Sequence, residues 1–329
     1  MRLILVAGAT DTAKIDGISA AGANSDLLAH TPSADLELVE YGSLVRAPEL
    51  PVSPTGCPTP AAVTRAVRES LGLDFLAVDA GLSVPTGAPT VNVGAKRGRD
   101  IREVDPVPTA PGAFLAARQL GRSLPDDELV VGETIPGGTT TALGTLRALG
   151  EGWPVSSSFP ENPTELKESV VAEGLDASGI DAGEFAHEPL LAVRAMGDPV
   201  LAVVAGLTAG ALSADKSVIL GGGTQLLTAA ALVRHEGIAD PLTLATTSYL
   251  AADVPALDEA ARSLDVDLVV TDPGFGERDD ALARYAAGEA KEGAGMGGAL
   301  LLAERAGVLD DVAAQTVKVV ETAGVEHGP

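Results

Sequence analysis

The stretch LVVGETIPGGTTTALGTLRALG, residues 129–150, decides the fold. It opens as a short, β-branched apolar run, the pattern of a buried strand. The run ends at Gly132-Glu133, passes Pro136-Gly137-Gly138, meets Thr139, Thr140 and Thr141, and becomes an Ala/Leu-rich segment with helical spacing. Strand, glycine turn and helix in that order make one βα unit of a parallel sheet, and ligands of such sheets bind beyond the carboxyl ends of the strands. Glycines let a ligand approach the backbone closely. Free amides at the positive end of a helix dipole make an anion site, for which a phosphate is the natural guest. A plain Gly turn with a Thr cap accounts for the same residues without a ligand. The loop lacks the G-x-x-x-x-G-K-[ST] pattern of nucleoside triphosphatases.

The same unit recurs outward from this stretch. RLILVAG, FLAVDAG, PTVNVGA, SVILGGG, LTLATTS and DLVVTDPG are brief apolar runs, most of them ending in Gly. Between them lie segments with helical spacing, such as PAAVTRAVRESLG and DPVLAVVAGLTAGAL. The alternation predicts an α/β fold: a doubly wound, mostly parallel sheet with helices on both faces. From about residue 278 the strand signal is lost, and 278–329 reads as two or three helices packing back on a core of about 70–275. Together with the other chain end they predict a small helical subdomain within a single domain, 1–329. The Pro/Ser-rich GWPVSSSFPENP, residues 152–163, reads as a loop over the strand ends or as a linker.

Composition narrows the function classes. Formal net charge is −24 with a pI near 4.4, so phosphate-binding nucleic-acid partners and anionic membranes are disfavoured. Lysine occurs only at Lys14, Lys96, Lys167, Lys216, Lys291 and Lys318, and aromatics make up 3%. An acid-rich, lysine-poor coat fits a salt-adapted cytoplasm, where ions screen self-repulsion. The single cysteine, Cys57, excludes an intrachain disulfide; its thiol reads as a nucleophile or, with no His nearby in sequence, as a small turn residue. His30, His187, His235 and His327 lack metal-ligand spacing, so no metal is expected. The apolar N-terminus is too short for a signal peptide, and no run is long enough to span a bilayer. A soluble, cytoplasmic protein acting on small molecules is expected.

Three further segments carry candidate residues. VDAGL places Asp79 and Gly81 after a strand, and VILGGGTQ places Gly222, Gly223, Thr224 and Gln225 after another. With the 132–141 loop they outline a crevice, although each alone also suits a simple turn. In GEAKEGAGMGGALLLAERAG, residues 288–307, Glu289 and Glu292 precede four glycines. Each glycine weakens a helix by about 1 kcal/mol relative to Ala, so the segment favours a close approach. Glu292 beside small apolar residues would have a raised pKa and could accept a proton near neutral pH; a surface Glu ahead of a packed helix is the simpler alternative.

Taken in order, these segments resemble the nicotinate-nucleotide:dimethylbenzimidazole phosphoribosyltransferase family of cobamide lower-ligand assembly, and within it a divergent archaeal, haloarchaeal-type branch. VDAGL is similar to its D-x-G turn, GAKRGRDI to its charged Gly segment, and GETIPGGTT to its G-E-M-G-I-G-N-T-T signature. ELKESVV at Lys167 is similar to its K-x-x-V-V helix start, and AKEGAGMGGA to its L-G-E-G-x-G-A-A end. The resemblance runs from about Phe75 to Gly307; the first seventy residues resemble only the archaeal branch and receive no role from it. Gly138 stands where the family has Asn, and Gly221 where it has the Asp of D-G-F. The family's Ser-His segment appears only as ATTSYLAAD.

The resemblance implies transfer of a 5-phosphoribosyl group from nicotinate mononucleotide, as co-substrate and without a cofactor, to a benzimidazole or purine. It implies Glu292 as proton acceptor with Glu133 assisting, and Gly137, Gly138, Thr139, Thr140, Thr141 and Lys167 around the phosphate. It also implies a homodimer. A non-catalytic binder of nucleotides or cobamide intermediates is one alternative. An NAD-type oxidoreductase is weaker, since no G-x-G-x-x-G follows the first strand. From the acidic coat, the melting temperature is expected to rise steeply with added salt; a salt-indifferent melt would reject the halophilic expectation.

Overall fold

The structure is a computed structural model that describes residues 1–19 and 25–324. His327 and the end of the predicted C-terminal helical part lie outside the described residues. The strands are β1 Arg2–Ala7, β2 Asp74–Asp79, β3 Thr90–Asn92, β4 Glu128–Thr134, β5 Ser217–Gly221, β6 Thr243–Thr247 and β7 Asp267–Thr271. The helices of the first half are α1 Ser25–Leu28, α2 Thr31–Tyr41, α3 Ala61–Leu71, α4 Ala110–Ser123, α5 Gly138–Leu149 and α6 Thr164–Ser178. Those of the second half are α7 Pro189–Met196, α8 Pro199–Leu212, α9 Thr224–His235, α10 Ser248–Asp253, α11 Leu257–Ser263, α12 Ala283–Ala286, α13 Met296–Arg305 and α14 Leu309–Gly324.

The strands form one sheet in the order β3-β2-β1-β4-β5-β6-β7, every pair parallel. This is the doubly wound α/β architecture the alternation predicts. One boundary shifts. The core expected to begin near residue 70 takes its central strand from residues 2–7, because β1 pairs with both β2 and β4. The chain leaves β1 toward β2 and later returns to β4 on the other side. The strand order therefore reverses between β1 and β4, the kind of switch point beside which ligands of open α/β sheets bind.

Side-chain alternation divides the interior. Ile4, Val6, Leu129, Val131 and Leu220 join Phe114, Leu143, Val203 and Leu227 of α4, α5, α8 and α9 on one face. Leu3, Leu5, Val130 and Ile219 join Leu36 of α2, Ala62 of α3 and Leu301 of α13 on the other. The helical layer from the two chain ends thus covers the second face, with α14 against α3. No helix of the described residues is long and apolar enough to cross a membrane.

Close backbone contact seats α13 on the sheet. A Cβ added at Gly132 of β4 would lie 2.4 Å from Gly295 Cα, and one at Gly297 would lie 2.4 Å from Ala245 O of β6. A Cβ at Gly221 of β5 would lie 2.8 Å from Gly298 Cα. These contacts are backbone against backbone, so no flexible side chain can move aside. Gly132→Ala is expected to cost about 1–3 kcal/mol or more through overpacking, read as a lower urea midpoint. Gly112→Ala, on α4 with open space around it, should instead stabilise by about 0.5–1 kcal/mol.

Candidate active site

At the carboxyl ends of β4 and β5 lies an open cavity of about 1000 Å³. The turn after β4 supplies Glu133, Thr134, Ile135, Pro136, Gly137, Gly138 and Thr139. The turn after β5 adds Gly223, Thr224 and Gln225, and the segment before α13 adds Ala290, Glu292, Gly293 and Ala294. The N-terminal region closes one side with Asp35 and part of the 51–60 loop, and Ser156–Ser158 close another. The loop at 152–163 therefore runs over the strand ends.

Local geometry explains the placement. Gly137 caps α5 with φ of 77°, and an added Cβ there would meet the Ala13 backbone at 2.8 Å. Only glycine fits both demands. Ala294 N donates to Glu133 O at 2.8 Å, and Thr64 Oγ1 donates to Ala294 O at 2.8 Å. Thr247 Oγ1 donates to Lys291 O at 2.6 Å. The segment is sharply folded, with positive φ at Ala290 and Ala294 as well as at Gly293 and Gly295. Left-handed alanines are strained and persist only where the surroundings fix them. Glu292 is thereby carried into the cavity that Glu133 also lines.

The site is rich in carboxyls. Burial, with the nearby Asp198, Glu292 and Asp35 charges, pushes Glu133 up to about 8. Burial pushes Glu292 up to about 8 despite backbone bonds from Gly297 and Gly293. Asp35 and Asp198 are likewise raised by burial, each to about 6. The four differ in how well they are held. Asp198 caps α8, accepting from Leu201 N at 2.9 Å and Thr141 Oγ1 at 2.5 Å. Asp35 accepts from Thr59 Oγ1 at 2.7 Å and Thr134 Oγ1 at 2.6 Å. Among the described residues Glu133 has only Gln225 Nε2, at 3.3 Å. Glu292 Oε1 accepts from Gly297 N at 2.9 Å, whereas Oε2 is shut from solvent with no hydrogen-bond partner among the described residues. An unsatisfied buried carboxyl oxygen is costly and marks a place where chemistry or a ligand is expected.

Several expected residues stand elsewhere. Thr140 and Thr141 are fully buried beneath the first turn of α5 and do not line the cavity; Thr141 holds Asp198 instead. Lys167 is fully buried, and its ammonium donates to Ser156 O at 2.6 Å, so it does not reach the cavity. Burial and the Lys291 charge, opposed by Asp253, push it down to about 7. Asp79 is occupied by its own turn, accepting from Gly81 N at 2.8 Å and Leu82 N at 3.0 Å. Gly81 packs on the Lys96–Arg97 peptide, and Gly222 bonds to Ala245 O. The long crevice thus contracts to the ends of β4 and β5. Gly138 has a tight neighbour: an added Cβ would lie 1.9 Å from Gln225 Nε2, so this amide fills the space a side chain would take. Asp35 was missed, as was the 51–60 loop apart from Cys57, because neither carries a motif. No group of three His, Cys, Asp or Glu among the described residues is arranged to hold a metal.

Each raised carboxyl binds its proton more tightly in the folded state than in the unfolded chain. Its stabilising share is complete below the ordinary value near 4 and is lost as pH rises through 6 to 8. Stability of the unliganded protein should therefore fall between about pH 4.5 and about pH 7. Denaturant midpoints across that range check it, and Glu292→Gln should flatten the slope by up to about 1.4 kcal/mol per pH unit.

No known family profile matches the chain. A UPF0284 protein of Halobacterium salinarum is 59% identical over 321 residues, covering 96% of each chain. A UPF0284 protein of Methanosarcina mazei is 42% identical over 315 residues, covering 94% of this chain and 90% of its own. The fold matches a nicotinate-nucleotide-dimethylbenzimidazole phosphoribosyltransferase from Thermus thermophilus with a TM-score of 0.63, over 97% of this chain and 82% of that one. A structure of CobT from the same organism matches at 0.64, over 99% and 87%. Identity is 18% in both, so the likeness is one of fold. Identity to its relatives at these levels along nearly the whole sequence means that the chain belongs to the UPF0284 protein family.

Proposed function

We propose that this protein transfers a phosphoribosyl group from nicotinate mononucleotide to the nitrogen of a benzimidazole-type or purine base. The observation that carries the proposal is the unpartnered Oε2 of Glu292 in one cavity with the glycine turn ahead of α5. The fold shared with the two Thermus structures supports it.

In this scheme the first-turn backbone of α5, at Gly137 to Thr139, receives the 5-phosphate at the positive end of the helix dipole. The azole nitrogen attacks the ribose anomeric carbon from the side opposite the pyridinium. A carbon–nitrogen bond forms to the base, the bond to nicotinate breaks, and the ring leaves with the electron pair, uncharged at nitrogen. The azole N–H proton passes to Glu292. The free oxygen of Glu292 is the acceptor, while its other oxygen is steadied by Gly297 N. Glu133, paired with Gln225, faces the same space and orients the ribose hydroxyls. Holding two rings and one sugar carbon in line supplies most of the rate. The leaving group needs no redox cofactor. A pKa near 8 makes Glu292 a stronger base, and its ionised fraction grows across neutrality. Activity should accordingly rise with pH up to about 8.

A binding protein without turnover is a second reading, because Gly138 and Gly221 replace polar family residues. Incubation with nicotinate mononucleotide and a panel of bases at high salt, followed by mass spectrometry, decides between them. Release of nicotinate with a ribotide of the added base is expected, whereas tight nucleotide binding without nicotinate release identifies the binder. Glu292→Gln should lower turnover about 10²–10⁴-fold, the usual share of a general base. An unchanged rate removes Glu292 from this role.

A further inference from the structure

Two buried lysines are left unused by this scheme, and they meet at one loop. Lys167 comes from α6 and Lys291 from the segment ahead of α13; both are fully buried. Lys167 Nζ donates to Ser156 O at 2.6 Å. Lys291 Nζ donates to Phe159 O at 2.7 Å and to Gly288 O at 3.0 Å. Asp253, at the end of α10, lies between them: Oδ1 is 3.4 Å from Lys291 Nζ, and Oδ2 accepts from Ser156 Oγ at 2.7 Å. Two further bonds complete the attachment, Ser156 N to Thr224 Oγ1 at 3.1 Å and Ala290 N to Ser158 O at 3.1 Å. The loop has no strand or helix of its own, and these contacts fix it.

We propose that Lys167, Asp253 and Lys291 form a buried charged latch that holds the loop 155–162 over the cavity, and that Lys167 is a positioning residue acting on the ligand through that loop. Two cations against one carboxylate are a poor device for stability alone, because each desolvated charge is costly unless fully paired. Their geometry does something a neutral side chain cannot. The ammonium on Ser156 O polarises the Ser156–Ser157 peptide and strengthens its N–H as a donor. That N–H points away from the carbonyl in a trans peptide. Ser157 lines the cavity, and its amide has no acceptor among the described residues. Lys291 immediately precedes Glu292, so the same latch ties the serine loop to the backbone that presents the proton acceptor. Charge thus reaches the ligand as an oriented amide rather than as an ion pair.

The choice of ligand rests on the phosphoribosyl proposal, but the latch itself does not. The test variant is Lys167→Met, which keeps length and removes charge. Hydrogen exchange of peptides spanning 155–162 in the unliganded protein should quicken about tenfold, with the β4 and β5 peptides unchanged. Affinities for nicotinate mononucleotide and for phosphate-free nicotinate riboside, measured by titration calorimetry, should fall by a similar factor of about ten. Unchanged exchange in the loop overturns the latch. So does an affinity loss confined to the phosphorylated ligand, which would mean that Lys167 contacts the phosphate itself. Should Lys167→Met fail to fold, Asp253→Asn, at a part-exposed position, must loosen the same peptides. If the native protein binds neither ligand, the phosphoribosyl proposal fails, and the exchange measurement still decides the latch.

Discussion

The contact on which the site depends is that of backbone against backbone where α13 begins. Gly132 on β4 meets Gly295, Gly221 on β5 meets Gly298, and Gly297 meets the carbonyl of Ala245 on β6. Two neighbouring strands and the helix start itself have given up side chains here, so that α13 can rest on the sheet backbone. Interiors are packed too tightly to absorb even one extra carbon there. The distance between the chain end and β4 is therefore fixed by peptide atoms rather than by adaptable side chains. Glu292 and Glu133 come from positions far apart in sequence, yet they share one cavity because this seat leaves no slack.

That seat also separates two kinds of buried acid. Asp198 and Asp35 each receive two hydrogen bonds, and their work is to hold α8 and the Thr59 and Thr134 turns. Glu133 and Glu292 are under-supplied with donors in the same low-dielectric surroundings. A carboxyl that is buried, poorly satisfied and beside another acid is destabilised as an anion and becomes a better base when it does ionise. The imbalance stands in a cavity where a bound ligand could relieve it.

The sheet was open to view in the sequence because the strands are short and apolar and most are closed by Gly, so that period and punctuation agree. The β4–α5 turn was legible for the same reason. The placement of RLILVA at the centre of the sheet was not, since hydrophobicity shows that a strand is buried but not which strands flank it. The helix at 31–41 carrying Asp35, and the 51–60 loop, left no pattern because their contribution arises only from long-range packing. The left-handed Ala290 and Ala294 were invisible, as nothing in an alanine marks a left-handed turn the way a glycine or asparagine does. Lys167 was noticeable as a scarce cation in an acidic chain, but residue type alone does not show which oxygen an ammonium finds. Its partner proved to be a loop carbonyl.

Among the described residues, the cavity wall holds no lysine and no arginine. An anionic ligand there would be gripped by peptide dipoles, hydroxyls and the Gln225 amide rather than by a cation. In dilute buffer that is a modest grip compared with a guanidinium fork. In molar salt the comparison changes, because the screening length shrinks to about 3 Å and free ions compete for every exposed cation. Amide hydrogen bonds depend less on net charge, so screening takes less from them. A pocket furnished in this way would keep its hold on a phosphate in brine that loosens conventional ion pairing.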